Sequence, residues 1–402
     1  MVLQFTAITT LFLACVVYML GVYLVRKVNF LQRFFIPEPV VGGLIVAIAI
    51  TILKSTGLLA IELDTSLQTM FMLAFFTTIG LGASFKLLKL GGKVLVGYWL
   101  LCGFLALMQN VIGVSIAKLM GLNPLLGVMV GAVSMEGGHG GAAAFGQTIE
   151  ELGVNSAVSI GLAAATFGLI AGGLVGGPVV KYLINKHQLK PNPESSSINV
   201  SIDDLTGTHS KSKMDFTTLL FVQMTIITGC MAVGGYLGST FSELTGFALP
   251  GYVGAMFIAV IFRNVSDSFR DDVIDIKVIS KVGDFSLGIF LSMALMSIKL
   301  WELYSLALPL FIIVFVQIVF IVLLAIWVGF RVLGKDYDAA IMTGGFLGHG
   351  LGATPNAIAN MDAVTKKFGP SPKAFLIVPL VGAFLIDLLA LPIIITTINL
   401  FS

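Results

Sequence analysis

From its N-terminus the chain alternates long apolar runs with short segments that carry most of its charge. Runs at about 5–25, 37–53, 69–85, 94–117, 155–180, 216–242, 249–262, 283–298, 305–330 and 374–400 approach the ~20 residues a helix needs to cross a hydrocarbon core, and they predict ten membrane spans. Two further apolar stretches, 122–149 and 339–361, are too rich in glycine for simple helices: Ser134-Met135-Glu136-Gly137-Gly138-His139-Gly140-Gly141 and Gly344-Gly345-Phe346-Leu347-Gly348-His349-Gly350-Leu351-Gly352. Irregular backbone at membrane depth survives only where protein buries it or where it lines a cavity, so both stretches are predicted as re-entrant hairpins.

One long polar stretch, 185–214, contains Pro191, Pro193, Ser195, Asp203, Asp204 and Gly207 and reads as a linker. It separates residues 1–184 from 215–402, and each part holds five spans with a hairpin between the fourth and fifth. Five is odd, so the second part enters the membrane upside down relative to the first. The order of landmarks repeats as well. Phe35-Ile36-Pro37 with Gly42 and Gly43 parallels Phe247-Ala248-Leu249-Pro250 with Gly251 and Gly254, Gln109 parallels Gln317, and Gly-His-Gly at 138–140 parallels the same triplet at 348–350. The expected fold is an all-α polytopic membrane protein of two inverted five-helix repeats. With both termini outside and the linker cytoplasmic, only Lys54, Lys118 and Lys299 of the 23 lysines and arginines fall on the outer face, which is the asymmetry cytoplasmic loops carry. The first run lacks a basic leader and continues too far for a cleaved signal, so it is taken as a span.

Composition strengthens the membrane assignment: 57% of residues are hydrophobic, 11% are charged, and mean hydropathy is +1.01. A soluble domain of this length could not hide that much apolar surface. A net charge of +2 with scattered basic residues gives no nucleic-acid footprint. Cys15, Cys102 and Cys230 sit in separate apolar stretches without metal-ligand spacing, which points to packing.

Inverted hairpins would bring their tips together near mid-membrane, where half-helix starts offer N–H donors and half-helix ends offer carbonyl acceptors. The tips carry Ser134, Glu136 and His139 on one side and His349, Thr354, Asn356 and Asn360 on the other. Single hydroxyls and amides often bond only to a neighbouring helix, but the cluster as a whole favours binding. His139 and His349 can be structural or can shape the site. Intramembrane carboxylates are the more telling class, since a buried charge is costly; they are Glu136, Asp284 and Asp387. Each can hold a sodium ion or an ammonium group, and Asp284 can equally cap a helix start near Ser286. No Lys or Arg lies deep in a span. An anionic substrate would therefore be held by the N–H groups of Gly138, Gly140, Gly350 and Gly352, by Asn356 and by co-bound cations. Ser134, Asp284, Thr354, Asn360 and Asp387 are the candidate sodium ligands. No organic cofactor is called for. A metalloenzyme is disfavoured by the absence of His-Glu-x-x-His spacing, and a channel by the crossed tips, which suit alternating access.

Along essentially its whole length the chain resembles the glutamate:sodium symporter family. The resemblance rests on Ile36-Pro37-Glu38-Pro39-Val40, Met108-Gln109-Asn110, Gly137-Gly138-His139-Gly140, Ser292-Met293-Ala294-Leu295-Met296 with Leu300-Trp301-Glu302-Leu303, and Gly350-Leu351-Gly352-Ala353-Thr354-Pro355-Asn356-Ala357-Ile358-Ala359-Asn360-Met361. It implies electrogenic, sodium-coupled uptake of L-glutamate across a bacterial inner membrane, by a homodimer with an elevator-like motion. The nearest alternative is a sodium- or proton-coupled symporter of another small carboxylate, such as a dicarboxylate or citrate.

Overall fold

The computed structural model describes residues 2–86, 88–191, 215–247, 249–269, 273–298, 300 and 306–402. Among the described residues eight helices are long and apolar enough to cross a membrane: Ala7–Lys27, Glu38–Ser55, Gly92–Leu119, Ala157–His187, Phe216–Thr245, Ile276–Met296, Ala307–Val332 and Pro372–Phe401. Two of the ten expected spans fall instead on shorter or more polar helices. Gln68–Gly82 has 15 residues, and Gly251–Phe269 ends in the polar run Arg263-Asn264-Val265-Ser266-Asp267. Helix starts follow local chemistry, with Asp215, Asp275 and Asp336 each accepting a backbone N–H from the first turn that follows. The eighth span thus begins at Ile276, seven residues before the expected 283, because Lys277, Ser280 and Lys281 interrupt the apolar run within its first two turns. The helix at 157 runs on to His187, past the expected start of the linker, and 192–214 lie outside the described residues.

The helices form two bundles that cut across the sequence halves. The first contains Ala7–Lys27, Glu38–Ser55 and Gln68–Gly82 with Phe216–Thr245, Gly251–Phe269 and Ile276–Met296. The second contains Gly92–Leu119, Ala157–His187, Ala307–Val332, Pro372–Phe401 and both glycine-rich segments. Each bundle therefore takes corresponding helices from each half. The expected all-helical architecture has one exception: Val2–Phe5 and Ala60–Leu63 form a short parallel pair in register Val2↔Ala60 to Phe5↔Leu63. Two membrane-length helices, joined by the short helix Asn29–Arg33, intervene between these strands, so a pair of traverses returns the chain to the level where it started.

In the first bundle the end of Gln68–Gly82 is pinned by a buried polar cluster. Asp267 accepts from Ser84 Oγ at 2.6 Å and from Arg263 Nε at 3.0 Å, while Asn264 Nδ2 donates to Ala83 O at 2.7 Å and its Oδ1 accepts Phe85 N–H at 2.8 Å. Asp267 and Arg263 are only 9% and 13% exposed. Removing one member of such a pair leaves a buried charge uncompensated, at about 3–5 kcal/mol. Asp267→Ala is expected to lower the thermal unfolding temperature of the detergent-solubilised protein sharply; a variant as stable as wild type would show the pair to be idle.

Candidate functional site

Each glycine-rich segment is a helix, a break and a second helix. The first comprises Pro124–Val128 continued by Met129–Val133, then Gly138–Glu151; the second comprises Tyr337–Gly350, then Thr354–Phe368. At 1.5 Å per residue a 14-residue helix is about 21 Å long, short of a ~30 Å hydrocarbon core. The second segment doubles back on itself: the backbone of Gly348 packs on Ala357, and Gly345 packs on Met361. The first is more splayed, its leading half lying along Gly92–Leu119 and its trailing half along Ala157–His187, with Gly113 against Gly127 and Gly146 against Val158.

The two breaks meet. A Cβ built on Gly138, whose φ is +58°, would lie 3.0 Å from the carbonyl oxygen of Gly352. A third break joins them where Pro372–Phe401 passes through a π-helical turn at Val381–Leu385. Thr354 Oγ1 donates to Gly382 O at 2.8 Å, and any side chain on Gly382 would overlap His349 Nε2. Asp387 follows in the first turn of Ile386–Phe401.

Glu136 sits at the first break with both carboxylate oxygens buried and without a protein hydrogen-bond partner. Asp387 is close enough to act on it electrostatically, and Glu136 acts in turn on Tyr98 and Cys102 of Gly92–Leu119. Tyr98 reaches the other hairpin, its hydroxyl 2.9 Å from His349 Nδ1, and leaves His349 Nε2 buried and unpartnered. Two carboxyls thus share an enclosure with the starts of Gly138–Glu151 and Thr354–Phe368. The first-turn N–H groups of such helices lack intrahelical acceptors and carry partial positive charge. The enclosure has donors for an anion and carboxylates for a cation.

Several expected site residues are engaged in packing. Ser134 Oγ is shared between Met129 O at 2.5 Å and Gly161 O at 2.8 Å. His139 Nε2 is 3.0 Å from Thr166 Oγ1, whose own proton goes to Leu162 O, so the imidazole is the donor. Asn356 Nδ2 donates to Leu169 O at 3.1 Å, and Asn360 Nδ2 to Gly172 O at 3.1 Å and Gly344 O at 3.3 Å, which ties the second hairpin to Ala157–His187. Gly350 ends a helix, and its carbonyl accepts Gln109 Nε2 at 2.7 Å; it offers an acceptor where a donor was expected. Gly140 faces Phe75 and Leu287 of the first bundle. Asp284 is not brought to the tips. It is exposed, two turns inside Ile276–Met296, beside Tyr18 and Glu38, and the cap of that helix is Asp275. Asn360→Ala removes two buried side-chain hydrogen bonds, each contributing about 0.5–1.5 kcal/mol. It should destabilise the protein while leaving the half-saturating sodium concentration of transport unchanged; a shifted sodium dependence would instead make Asn360 a ligand.

Tyr98, Gln317, Thr166 and Gly382 were not singled out as site residues. Gly382 had a legible signal, a glycine between Pro379 and Pro392 in the middle of a span.

A family model described as sodium/glutamate symporter matches residues 3–370. The chain is 43% identical over 390 residues to the sodium/glutamate symporter of Haemophilus influenzae, covering 96% of this chain and 95% of that one. It is 43% identical over 384 residues to the sodium/glutamate symporter of Escherichia coli K12, covering 95% and 94%. Among solved structures, a sodium/proton antiporter of Methanocaldococcus jannaschii aligns over 98% of each chain at a TM-score of 0.45 and 17% identity. With most of its length matched by the family model and by these relatives, the chain belongs to the sodium/glutamate symporter family.

Proposed function

We propose that this protein couples L-glutamate uptake to sodium entry by alternating access, with the two broken segments inserted from opposite faces as re-entrant hairpins of inverted repeats 1–184 and 215–402. The observation that carries the reading is the contact of Gly138 with Gly352 beside Glu136 and Asp387. Two acidic side chains in one enclosure repel an anion unless cations enter with it, and hard cations are well held by carboxylate, hydroxyl and carbonyl oxygens. Sodium is co-transported cargo here, with Asp387 and Thr354 as its first candidates. The substrate ammonium would pair with Glu136, and the substrate carboxylates would take the N–H groups of Gly138, His139 and Gly140 at the helix start.

The two-bundle arrangement supports an elevator-like motion, in which the second bundle carries the site past the first. A crevice of about 230 Å³ lies between them, lined by Thr65, Gln68 and Ser297 from one and Gln147, Glu150 and Asn155 from the other. A loosely filled seam of this kind lets bundles slide. The protein is placed in a bacterial inner membrane with both termini external and the linker cytoplasmic, as a homodimer.

The test is uptake of labelled L-glutamate into proteoliposomes with and without an inward sodium gradient, competed by aspartate, citrate and glutamine. Concentrative uptake that requires sodium and resists citrate is expected. Uptake driven equally by a proton gradient, or preferring citrate, would overturn the assignment in favour of another carboxylate carrier.

A further inference from the structure

Gln109 and Gln317 occupy matching places in the two halves, and both are fully buried. Gln109 Nε2 donates to Gly350 O at 2.7 Å, and Gln317 Nε2 donates to the backbone carbonyl of Gln109 at 2.7 Å. These contacts fix the orientation of both amides, because a flipped amide would set oxygen against oxygen. Each Oε1 therefore points away from its carbonyl partner, and both are buried with no donor in reach. An orphan buried acceptor is destabilising, and two at equivalent positions ask for a shared explanation.

The surroundings are acceptors. Gly350 O and Gln109 O already point into the crossing, and Gly131, where the leading helix of the first hairpin breaks at ψ −135°, packs its Cα side on Gln109 O. The neighbouring Asn110 is spent elsewhere, its Oδ1 accepting Ala132 N–H at 3.1 Å and its Nδ2 donating to Thr397 Oγ1 at 3.2 Å. A locus of oxygens whose donors are all committed suits a hard cation. We infer that the side-chain oxygens of Gln109 and Gln317 ligate a monovalent cation where Gly92–Leu119 crosses Ala307–Val332. The inference rests on the sodium-symport reading and adds a second ion locus to it. Gln109 lies two helical turns, about 10 Å, beyond Cys102, on which Glu136 acts electrostatically. An ion here would also bind the fourth helix of one half to the fourth of the other and to the second hairpin, and so stiffen the unit that carries substrate.

The experiment compares wild type with Gln109→Leu, Gln317→Leu and Gln317→Glu. Two readouts are taken against sodium with choline as the balancing ion: L-glutamate uptake in proteoliposomes, and the thermal unfolding temperature of solubilised protein. Both leucine variants should raise the half-saturating sodium concentration at least tenfold in both readouts, and Gln317→Glu, which keeps an oxygen there, should recover most of the loss. Leucine variants within twofold of wild type, or variants that lose stability equally in sodium and choline, overturn the site. Should the leucine variants not fold, crystals of wild type soaked in thallium(I) decide: an anomalous peak between the two side chains supports the site, and peaks confined to other places overturn it. A wild type whose uptake and unfolding are both indifferent to sodium would instead bring down the symport reading itself.

Discussion

Gly138→Val is expected to abolish sodium-driven glutamate uptake while the protein still inserts and folds. Two effects combine. The backbone at Gly138 is left-handed, where a β-branched residue is a severe outlier, and the new Cβ would stand 3.0 Å from Gly352 O with two further methyl groups beyond it. The hairpin tips would be driven apart and the enclosure opened. Gly57 is the control, because it shares the positive φ, +69°, but has nothing within 4 Å of a built Cβ. Gly57→Ala should retain uptake, which separates crowding at the tips from backbone strain alone. Initial rates in proteoliposomes, normalised to reconstituted protein, make the comparison. Undiminished uptake by Gly138→Val would mean that the tips need not touch.

Asp387→Asn should raise the half-saturating sodium concentration by at least tenfold and cut uptake at a fixed physiological gradient by a similar factor, with expression unchanged. The carboxylate stands just beyond the π-helical turn of the last helix, beside the unpartnered Glu136, in a region where retaining a charge is expensive unless it is used. Glu136→Gln is expected to behave differently: a raised KM for glutamate with sodium dependence nearly intact, because its proposed partner is the substrate ammonium. Measuring both parameters for both variants assigns the acids. Identical profiles would mean that the two carboxyls act as one unit, and unaltered sodium dependence in Asp387→Asn would remove it from the ion path.

Much of this fold was legible in the chain. Apolar runs marked seven of the ten helices to within three residues, and the other three missed one end by seven because polar residues continue the helix beyond the apolar run. The glycine clusters located the breaks near Gly138 and Gly352, because no continuous helix tolerates such density. Other features were hidden for identifiable reasons. Asp284 looked intramembrane because the charge-free run begins after Lys281, whereas the helix starts at Asp275 and its polar first turns put Asp284 on an exposed face. Ser134, His139, Asn356 and Asn360 were recognisable as polar groups in apolar helices. Which partner each would meet, a carbonyl or for His139 the Thr166 hydroxyl, depends on how Ala157–His187 packs against the two broken segments, and a single chain pattern carries no such information. The pairing of Gln109 with Gln317 was visible as a repeat landmark, but its hydrogen bonds arise only once two helices from different halves cross.

The interleaving of the bundles also constrains the proposed motion. In the first half the covalent link between them is the passage from Gly82 to Gly92, and its opening residues are anchored: Phe85 N–H to Asn264 and Lys86 Nζ to Asp267 O. The helix Leu88–Leu119 begins two residues after Lys86, so little chain separates the anchored end from the second bundle. Gly92, at φ +58°, supplies the joint at the far end. In the proposed motion an excursion of the second bundle would therefore have to turn about Gly92 rather than be taken up by free chain, and the two bundles stay tied at this point.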